Sequence, residues 1–311
     1  MNRKTLAIIA NLIITLAMGG AELASDQTIK SDTFYRLHRV AVSEQGIFLL
    51  DQGRKTVDHY SLAGEYLESM GAEGQGPGEF VEPQNLLITG DTLWVLGHTM
   101  RRIVKFVDGQ FAGAIQMQSM PISFSRIGTD FIVGHVFTPT FLIKYNHQGQ
   151  PLDSSRHQGA SRKKFKNSPF PIFSALTHMT ASRSHFYLTY EYKNAVEKYS
   201  PELRLKKSAK IAKRLKEPQV KDGGNNQWYI DGDAIAKDIK YSAGKVYVLW
   251  MAQIEQVECE GLSRISIFDE NLKAMAEMDL PDCVVGFDVF RGKLYGVCNE
   301  PEPRVVVYHL E

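Results

Sequence analysis

The sequence predicts an all-β fold, a six-bladed β-propeller of four-stranded antiparallel blades. Three observations lead to this prediction: one strand pattern occurs six times along the 311 residues, a second apolar strand precedes each copy, and the last copy lacks a fourth strand. Repeats of about 40 to 70 residues with four strands each are typical of propeller blades. The alternative of two β-sandwiches predicts no repeat that is common to the whole chain.

The recurring pattern is an aliphatic residue, two variable residues and an aromatic residue. Its copies are residues 57–60, 103–106, 142–145, 196–199, 265–268 and 305–308. An apolar strand precedes each copy, as at residues 47–51, and small turns such as 291–293 stand before several of these strands. Short polar or glycine-containing turns between apolar runs indicate hairpins. With a further strand after the aromatic residue, as at 65–68, each unit becomes a four-stranded meander.

The two ends of the chain predict how the ring closes. Only residues 309–311 follow the aromatic Tyr308, so the sixth blade lacks its fourth strand. The segment of about residues 26–33 precedes the first strand of blade one and has no other assignment. We therefore expect this segment to complete the last blade, because ring closure removes two exposed strand edges that would otherwise promote aggregation.

The stretch GAEGQGPGEF, residues 71–80, is rich in glycine. It does not end in Gly-Lys-Ser/Thr, as a phosphate-binding P-loop does, and its glycine spacing does not fit a dinucleotide fingerprint. Gly74, Gly76, Pro77 and Gly78 instead suit a structural loop, because glycine reaches positive φ and proline stiffens the chain. We expect this loop to cross from the outer strand of blade one to the inner strand of blade two.

The N-terminal residues 1–24 have the organisation of a secretory signal peptide. Arg3 and Lys4 precede an apolar run over residues 6–18, and small residues follow, with cleavage expected after Ala21 or Ala24. The run is short for a spanning helix, although an uncleaved membrane anchor stays an alternative. We expect one propeller domain over residues 25–311, without a spanning helix, in the periplasm or outside the cell. The formal net charge of +1 gives no global field that would select nucleic acid or membrane.

All three cysteines lie in the last third of the chain, at Cys259, Cys283 and Cys298. In an oxidising compartment two of them are expected to pair and one to stay free. Cys283 and Cys298 flank one hairpin, so the sequence favours a disulfide between these two. The other interpretation is three small buried thiols.

The run over residues 74–80, followed by Pro83 and by a strand pair that ends at Arg101 and Arg102, resembles the bacterial exported six-bladed β-propellers of the NHL-repeat-like and TolB-like kind. The resemblance is sharp over residues 70–106 and is a pattern over the rest, as far as Tyr308. Asp51 matches the aspartate that often ends a second strand in such blades, whereas Gly97 replaces it in blade two. The resemblance implies fold and export and says little about chemistry, because propellers host binding scaffolds and enzymes alike.

Loops between second and third strands, and crossings between blades, are expected to line one mouth of the central channel. Polar residues at these places are the candidate ligand contacts. They are Asp51, Arg54, His98, Arg101, His135 and Glu191, with Glu79, Glu255 and Glu258 as further candidates.

His98 and His135 follow the second strands of adjacent blades. Imidazoles in that position could hold a divalent metal, which gives the alternative function of a metal-dependent propeller hydrolase or lyase. The simpler interpretation is two exposed loop histidines, since no HExxH motif accompanies them. No G-x-S-x-G nucleophile motif exists either, and no cofactor is expected outside the metal alternative.

Basic residues are concentrated at residues 156–166 and 204–216, on the expected blades three and four. This basic flank could contact an unknown acidic protein or an anionic glycan, or it could be a solvated edge charged against sheet pairing. Nucleic acid is not expected, because stacking aromatics at regular spacing are missing. The sequence thus predicts an exported, monomeric binding or scaffolding module, with a structural component of an envelope complex as a further alternative.

Overall fold

The computed structural model describes residues 25–136, 138–162, 175–213, 215–224, 227–232, 234–251 and 263–310. These residues form six four-stranded antiparallel sheets, a separate two-stranded hairpin and one short helix. The predicted six-bladed β-propeller is confirmed. The predicted signal peptide, residues 1–24, lies outside the described residues.

The strands follow the chain blade by blade, and in blades one to five the order in the sheet is the order in the sequence. β1 (Ser25–Ile29) precedes the first blade. Blade one contains β2 (Leu37–Ser43), β3 (Gly46–Asp51), β4 (Thr56–Tyr60) and β5 (Tyr66–Met70). Blade two contains β6 (Pro83–Thr89), β7 (Thr92–Gly97), β8 (Arg102–Val107) and β9 (Gln110–Gln116). Blade three contains β10 (Pro121–Ile127), β11 (Asp130–His135), β12 (Thr140–Tyr145) and β13 (Pro151–Arg156), and the helix α1 (Gly159–Arg162) follows it.

The second half of the ring repeats this arrangement with one addition. Blade four contains β14 (Thr177–Ala181), β15 (Phe186–Tyr190), β16 (Lys193–Tyr199) and β17 (Leu205–Ala209). The hairpin of β18 (Gln219–Gly224) and β19 (Gln227–Asp231) is inserted before blade five. Blade five contains β20 (Ala236–Ser242), β21 (Lys245–Met251), β22 (Ser263–Asp269) and β23 (Ala274–Leu280), and β24 (Val284–Phe290), β25 (Lys293–Cys298) and β26 (Arg304–His309) follow.

The ring closes as the chain ends predict. β1 pairs antiparallel with β26, with Ile29 opposite Val305 and Thr28 opposite Val306, and so supplies the fourth strand of blade six. The inner strands β2, β6, β10, β14, β20 and β24 contact one another in a circle around the central axis. The sixth blade is therefore built from both ends of the domain.

The aromatic residue of the recurring pattern is buried in every blade, which explains why it recurs. These residues are Tyr60, Phe106, Tyr145, Tyr199, Phe268 and Tyr308. They pack in clusters between neighbouring blades, as where Tyr60 and Ile47 of blade one meet Val297 and Val305 of blade six. Burying a side chain of this size contributes roughly 1.5–3 kcal/mol, so each pattern stabilises one contact between blades.

The glycine-rich loop lies between β5 and β6, where the sequence predicts the crossing between blades. Gly71 and Gly78 adopt positive φ, and Phe80 at the end of the loop is fully buried. The Glu79 carboxylate accepts the backbone N–H of Gly76 at 2.7 Å. The backbone amides of the loop and the Glu79 carboxylate thus form hydrogen bonds within the loop, as expected of a structural connector.

Candidate functional site

Asp51 is a structural residue of blade one. It is fully buried, and its carboxylate accepts the backbone N–H groups of Tyr35, Arg36, Gly53 and Arg54 at 2.8–3.1 Å. Three of these donors contact Oδ1 and one contacts Oδ2, so the buried carboxylate is used by the backbone of its own blade. Asp51 therefore ties the entry of β2 to the loop after β3, and its predicted role in ligand binding has no support in this geometry.

The side chain of Arg54 is held by the same blade. Its Nη1 contacts the buried carboxylate of Asp58 at 2.5 Å, and Asp58 also accepts the Ser69 hydroxyl at 2.7 Å. A buried carboxylate requires such partners, because an unpaired charge in the core is costly. The structure thus gives Arg54 a partner other than a ligand.

His98 and Arg101 belong to one tight turn after β7. The Nδ1 atom of His98 donates to the backbone carbonyl of Pro121 at 2.6 Å and links blade two to blade three. The backbone N–H of Arg101 donates to the His98 carbonyl at 3.1 Å, at a positive φ of 51°, and the Arg101 side chain is exposed. Nothing in this geometry directs both side chains to a common ligand.

His135 is a core residue. It is fully buried, its Nδ1 contacts the Ser119 hydroxyl at 2.8 Å, and its Nε2 contacts the Tyr145 hydroxyl at 3.3 Å. Burial lowers the pKa of His135 to about 4, so the ring is neutral at pH 7.

The proposed metal pair of His98 and His135 is not formed. Both ring nitrogens of His135 contact protein hydroxyls, and one nitrogen of His98 is bonded to a carbonyl. The physical reason is that the second strand of blade three ends inside the sheet, so His135 packs in the core rather than in a loop. Among the described residues no group of three or more His, Cys, Asp or Glu side chains could hold a metal ion.

The predicted disulfide between Cys283 and Cys298 is wrong. Cys298 is a buried free thiol, whereas Cys283 is disulfide-bonded. In the hairpin of β24 and β25, Cys298 stands opposite Val284. Cys283 precedes the first residue of β24, so it lies outside the pairing ladder and stands opposite no residue of β25. Cys259 lies outside the described residues.

The basic flank is described only in part. Lys206 and Lys207 are exposed on β17, the outer strand of blade four, and Arg156 is exposed at the end of β13. Cationic side chains on outer strands discourage sheets from pairing edge to edge. Lys163, Lys164, Lys166 and Arg214 lie outside the described residues, as do Glu255 and Glu258.

A cavity of about 280 Å³ lies where the six inner strands meet. Side chains from all six blades line it. They are His38, Arg39, Gln84, Asn85, Ile122, Thr177, His178, Glu191, Lys237 and Val285. Of the candidates named from the sequence, Glu191 alone is in this set.

A repeated β-bulge creates this lining. In five inner strands the residue after the first pairing position has no partner on the second strand, as where Leu37 opposes Asp51 and Arg39 opposes Leu50. The skipped residues are His38, Gln84, Ile122, Lys237 and Val285. A bulge re-aims a side chain, and here all five line the cavity. Blade four has no bulge at this place and contributes His178 from regular pairing.

The sequence prediction placed the candidate contacts in loops and did not include this column of inner-strand residues. Aligning the six inner strands on their hairpin turns places the five skipped residues in one column, with His178 one position out of step. The column reads His, Gln, Ile, His, Lys and Val, whereas the strands around it repeat aliphatic and aromatic residues. Variation at one point of a repeat, against a constant background, is the available signal.

Arg39 connects the cavity to three blades. Its Nη1 donates to the backbone carbonyls of His38 at 2.9 Å and Val285 at 3.2 Å, and its Nη2 donates to Nδ1 of His178 at 3.2 Å. A guanidinium only donates, so Nδ1 of His178 is the acceptor and the proton of the neutral ring is on Nε2. Arg39 therefore fixes the tautomer of His178.

The environment of the two histidines is cationic. Burial lowers the pKa of His178 well below its usual value, and the charges of Arg39 and Lys237 lower it further. Burial likewise lowers the pKa of His38, with Arg39 next in effect. Both rings are therefore neutral at pH 7. The Nε2 atom of each is buried and makes no hydrogen bond of good geometry, with the backbone of Gln84 near His38 and that of Ala236 near His178.

Asp238 balances part of this charge from behind the cavity. Its carboxylate lies 4.0 Å from Nε of Arg39 and 3.8 Å from Nζ of Lys240, and it accepts the backbone N–H groups of Ile239 and Phe287. Asp238 is thus committed to its own neighbours.

A second depression of about 530 Å³ lies away from the channel, at the outer side of blades two and three. It forms where Ala112, Gly113 and Ala114 give the edge strand β9 short side chains beside Trp94. Although larger, it is open, and three of its ten lining residues are small residues of one edge strand. We therefore place the candidate site in the channel, where side chains converge from six blades and four of the blades contribute polar ones.

The comparisons with known proteins agree with the fold. A family model described as 6-bladed beta-propeller matches residues 26–132, about a third of the chain. No curated protein matches the sequence. Three solved structures illustrate the likeness at the level of the fold. A "putative exported protein" from Bacteroides fragilis NCTC 9343 is 8% identical with a TM-score of 0.58, over 92% of this chain and 94% of the other.

The second structure, a member of the DUF4221 family from Bacteroides vulgatus atcc 8482, is 8% identical with a TM-score of 0.59. The match covers 93% of this chain and 97% of the other. The third, virginiamycin B lyase from Staphylococcus aureus, is 11% identical with a TM-score of 0.57, over 91% and 99%. The resemblance to exported six-bladed propellers is thus confirmed for the fold. In the part of the chain that the structure describes, no helix has the length and apolar character needed to span a membrane.

Proposed function

We propose that the chain is an exported β-propeller binding module that holds a small polar ligand in its central channel. The observation that carries the proposal is the repeated bulge, which delivers one side chain from each of five inner strands to one cavity. The residues delivered differ from blade to blade, as a specific site requires and a purely structural repeat does not. Export is supported by the signal-like residues 1–24 and by one structural neighbour that is described as an exported protein.

The cavity has the character of a ligand site on three counts. Its volume of about 280 Å³ is near the lower end for small-molecule pockets, roughly 300–1,000 Å³, so a metabolite fits and a protein segment does not. Its lining combines apolar Ile122 and Val285 with polar groups from other blades. Buried polar atoms without partners, such as Nε2 of His38 and of His178, are costly unless something pairs with them.

The test is to fill the cavity. Ile122→Trp places a large ring into the channel from a residue that already lines it. The purified chain is incubated with an extract of small molecules and measured by native mass spectrometry. We expect a discrete added mass on the unmodified chain that Ile122→Trp loses.

The control is Leu152→Trp, which adds the same ring to an exposed position on the outer strand of blade three. It should keep the added mass. Retention of the same mass by Ile122→Trp would place the ligand outside the channel and refute the proposal, as would the lack of any added mass on the unmodified chain.

A further inference from the structure

We propose that the ligand of the central channel is a small oxyanion, a carboxylate or a phosphate, bound between Lys237 and His178. This inference rests on the proposed function and names the chemistry of its ligand. Both residues line the same cavity, one from blade five and one from blade four.

Lys237 supplies a positive charge that forms no ion pair with a described carboxylate. Its two cationic neighbours are paired, since Arg39 and Lys240 both lie within 4.0 Å of the Asp238 carboxylate. Among the described residues no carboxylate lies within ion-pair distance of Lys237, which the bulge of β20 turns into the cavity. A half-buried ammonium without a counter-ion favours an anion that enters from solvent.

His178 supplies a neutral N–H donor. Because Arg39 donates to its Nδ1, the ring proton is on Nε2, which lies near the backbone of Ala236 and makes no hydrogen bond of good geometry. An oxyanion accepts hydrogen bonds and donates none when it is fully ionised, so it matches this donor and the Lys237 ammonium together. A neutral ligand would pair with the histidine and leave the ammonium unpaired.

The charges around the cavity favour the same class of ligand. Arg39 and Lys237 line it against one carboxylate, Glu191, which interacts with the hydroxyl of Tyr192. The pKa of His178 is lowered by burial first and then by Arg39 and Lys237, which is the response of a group in a positive field. An anion in the cavity would be attracted by these positive charges and would stabilise them.

The experiment compares three probes by isothermal titration calorimetry on the purified chain. Succinate presents carboxylates, inorganic phosphate presents a phosphate, and succinamide has the size and shape of succinate without its charge. The variants are Lys237→Met and His178→Gln in the channel, with Lys206→Met on the exposed outer strand of blade four as the matched lysine control. Circular dichroism and melting curves confirm that each variant is folded.

We expect succinate or phosphate to bind, and succinamide not to bind. Lys237→Met and His178→Gln should each weaken binding by about ten-fold or more, as loss of a charge-assisted hydrogen bond does, whereas Lys206→Met should leave it unchanged. The preferred probe distinguishes a carboxylate from a phosphate ligand. The His178 tautomer, read from the imidazole nitrogen shifts by NMR, should have its proton on Nε2.

Two results would overturn the inference in different ways. Equal binding of succinamide and succinate, lost in His178→Gln and kept in Lys237→Met, would show a channel ligand that is not an anion and would leave the proposed function standing. Anion binding that both channel variants keep and Lys206→Met loses would place the anion on the basic flank. No binding of either anion would also refute the inference, while the cavity-filling experiment would still decide the proposed function by itself.

Discussion

Arg39 shows at the scale of one residue how the hub of the propeller is organised. It is 5% exposed, bonded to carbonyls of blades one and six, and bonded to the imidazole of His178 on blade four. An arginine in the core is costly unless its donors are used, and here three contacts and the nearby Asp238 satisfy most of them. One side chain thus fixes both the spacing of three blades and the protonation of a cavity residue.

His135 makes a prediction about acid stability. Its pKa is about 4 in the folded protein because of burial, against roughly 6.5 in an unfolded chain. Above pH 6.5 both states are neutral and His135 has no effect. Between pH 6.5 and 4 the unfolded state takes up the proton and the folded state does not. As the pH is lowered from 6.5 to 4, the free energy of unfolding therefore decreases, by about 3 kcal/mol in total.

Chemical denaturation at pH values from 7.5 to 4 checks this prediction. His135→Gln removes the titrating group, so we expect a shallower acid limb than that of the unmodified chain. His147→Gln, an exposed histidine of the same blade, should keep the original limb. His38 and His178 contribute in the same direction in all three proteins, so the difference isolates His135. Parallel limbs for the unmodified chain and His135→Gln would contradict the prediction.

The crossing loop of residues 71–80 makes a prediction at the scale of one element. Gly71 has a φ of 79°, and a Cβ there would lie 2.3 Å from the ring of the buried Phe80. Gly90 has a φ of 62° and open space around its Cβ position. Gly90→Ala should cost roughly 1–2 kcal/mol from backbone strain alone. Gly71→Ala should cost the same strain. It should cost about 1–3 kcal/mol more, the typical cost of overpacking, because the new Cβ displaces the packed ring of Phe80.

Urea denaturation of the two variants measures this difference directly. Because both glycines have positive φ, the excess cost of Gly71→Ala reports the contact with Phe80 and not the strain. Equal costs would mean that Phe80 moves freely within the loop, which would contradict the rigid connector that the hydrogen bonds of the loop indicate.

Elements inside the repeat could be predicted, and elements outside it could not. The six third strands were found because burial forces an aromatic residue into each of them. The helix α1 and the hairpin of β18 and β19 lie in crossings between blades, where no repeat constrains the sequence. The cavity residues escaped prediction for a related reason: a bulge changes which face a residue occupies, and the sequence marks it only by variation at one position of the inner strands. Pairing registers, and not residue types, placed His38 and Lys237 in the channel.

At the scale of the whole molecule, the ring depends on one short strand. β1 joins the N-terminal end of the domain to β26 near its C-terminal end, and without it blade six has three strands and an open edge. The buried Ile29 anchors this strand in the cluster between blades six and one, whereas Thr28 beside it is exposed. Closure of the ring therefore depends on the few side chains on the buried face of β1.

Ile29→Asp should open the ring. A carboxylate in that apolar cluster has no described partner and costs several kcal/mol, so β1 should detach from β26. The free edge of β26 would then pair with other chains. We expect a melting temperature lower by several degrees, and oligomers that grow with protein concentration in size-exclusion chromatography.

Thr28→Asp is the matched control, because it adds the same charge to the exposed face of the same strand. It should melt close to the unmodified chain and elute like it. If Ile29→Asp behaved like Thr28→Asp, the ring would be held by contacts between the inner strands rather than by its closing strand. The difference between the two variants therefore measures how much of the stability of the propeller depends on the join between its two ends.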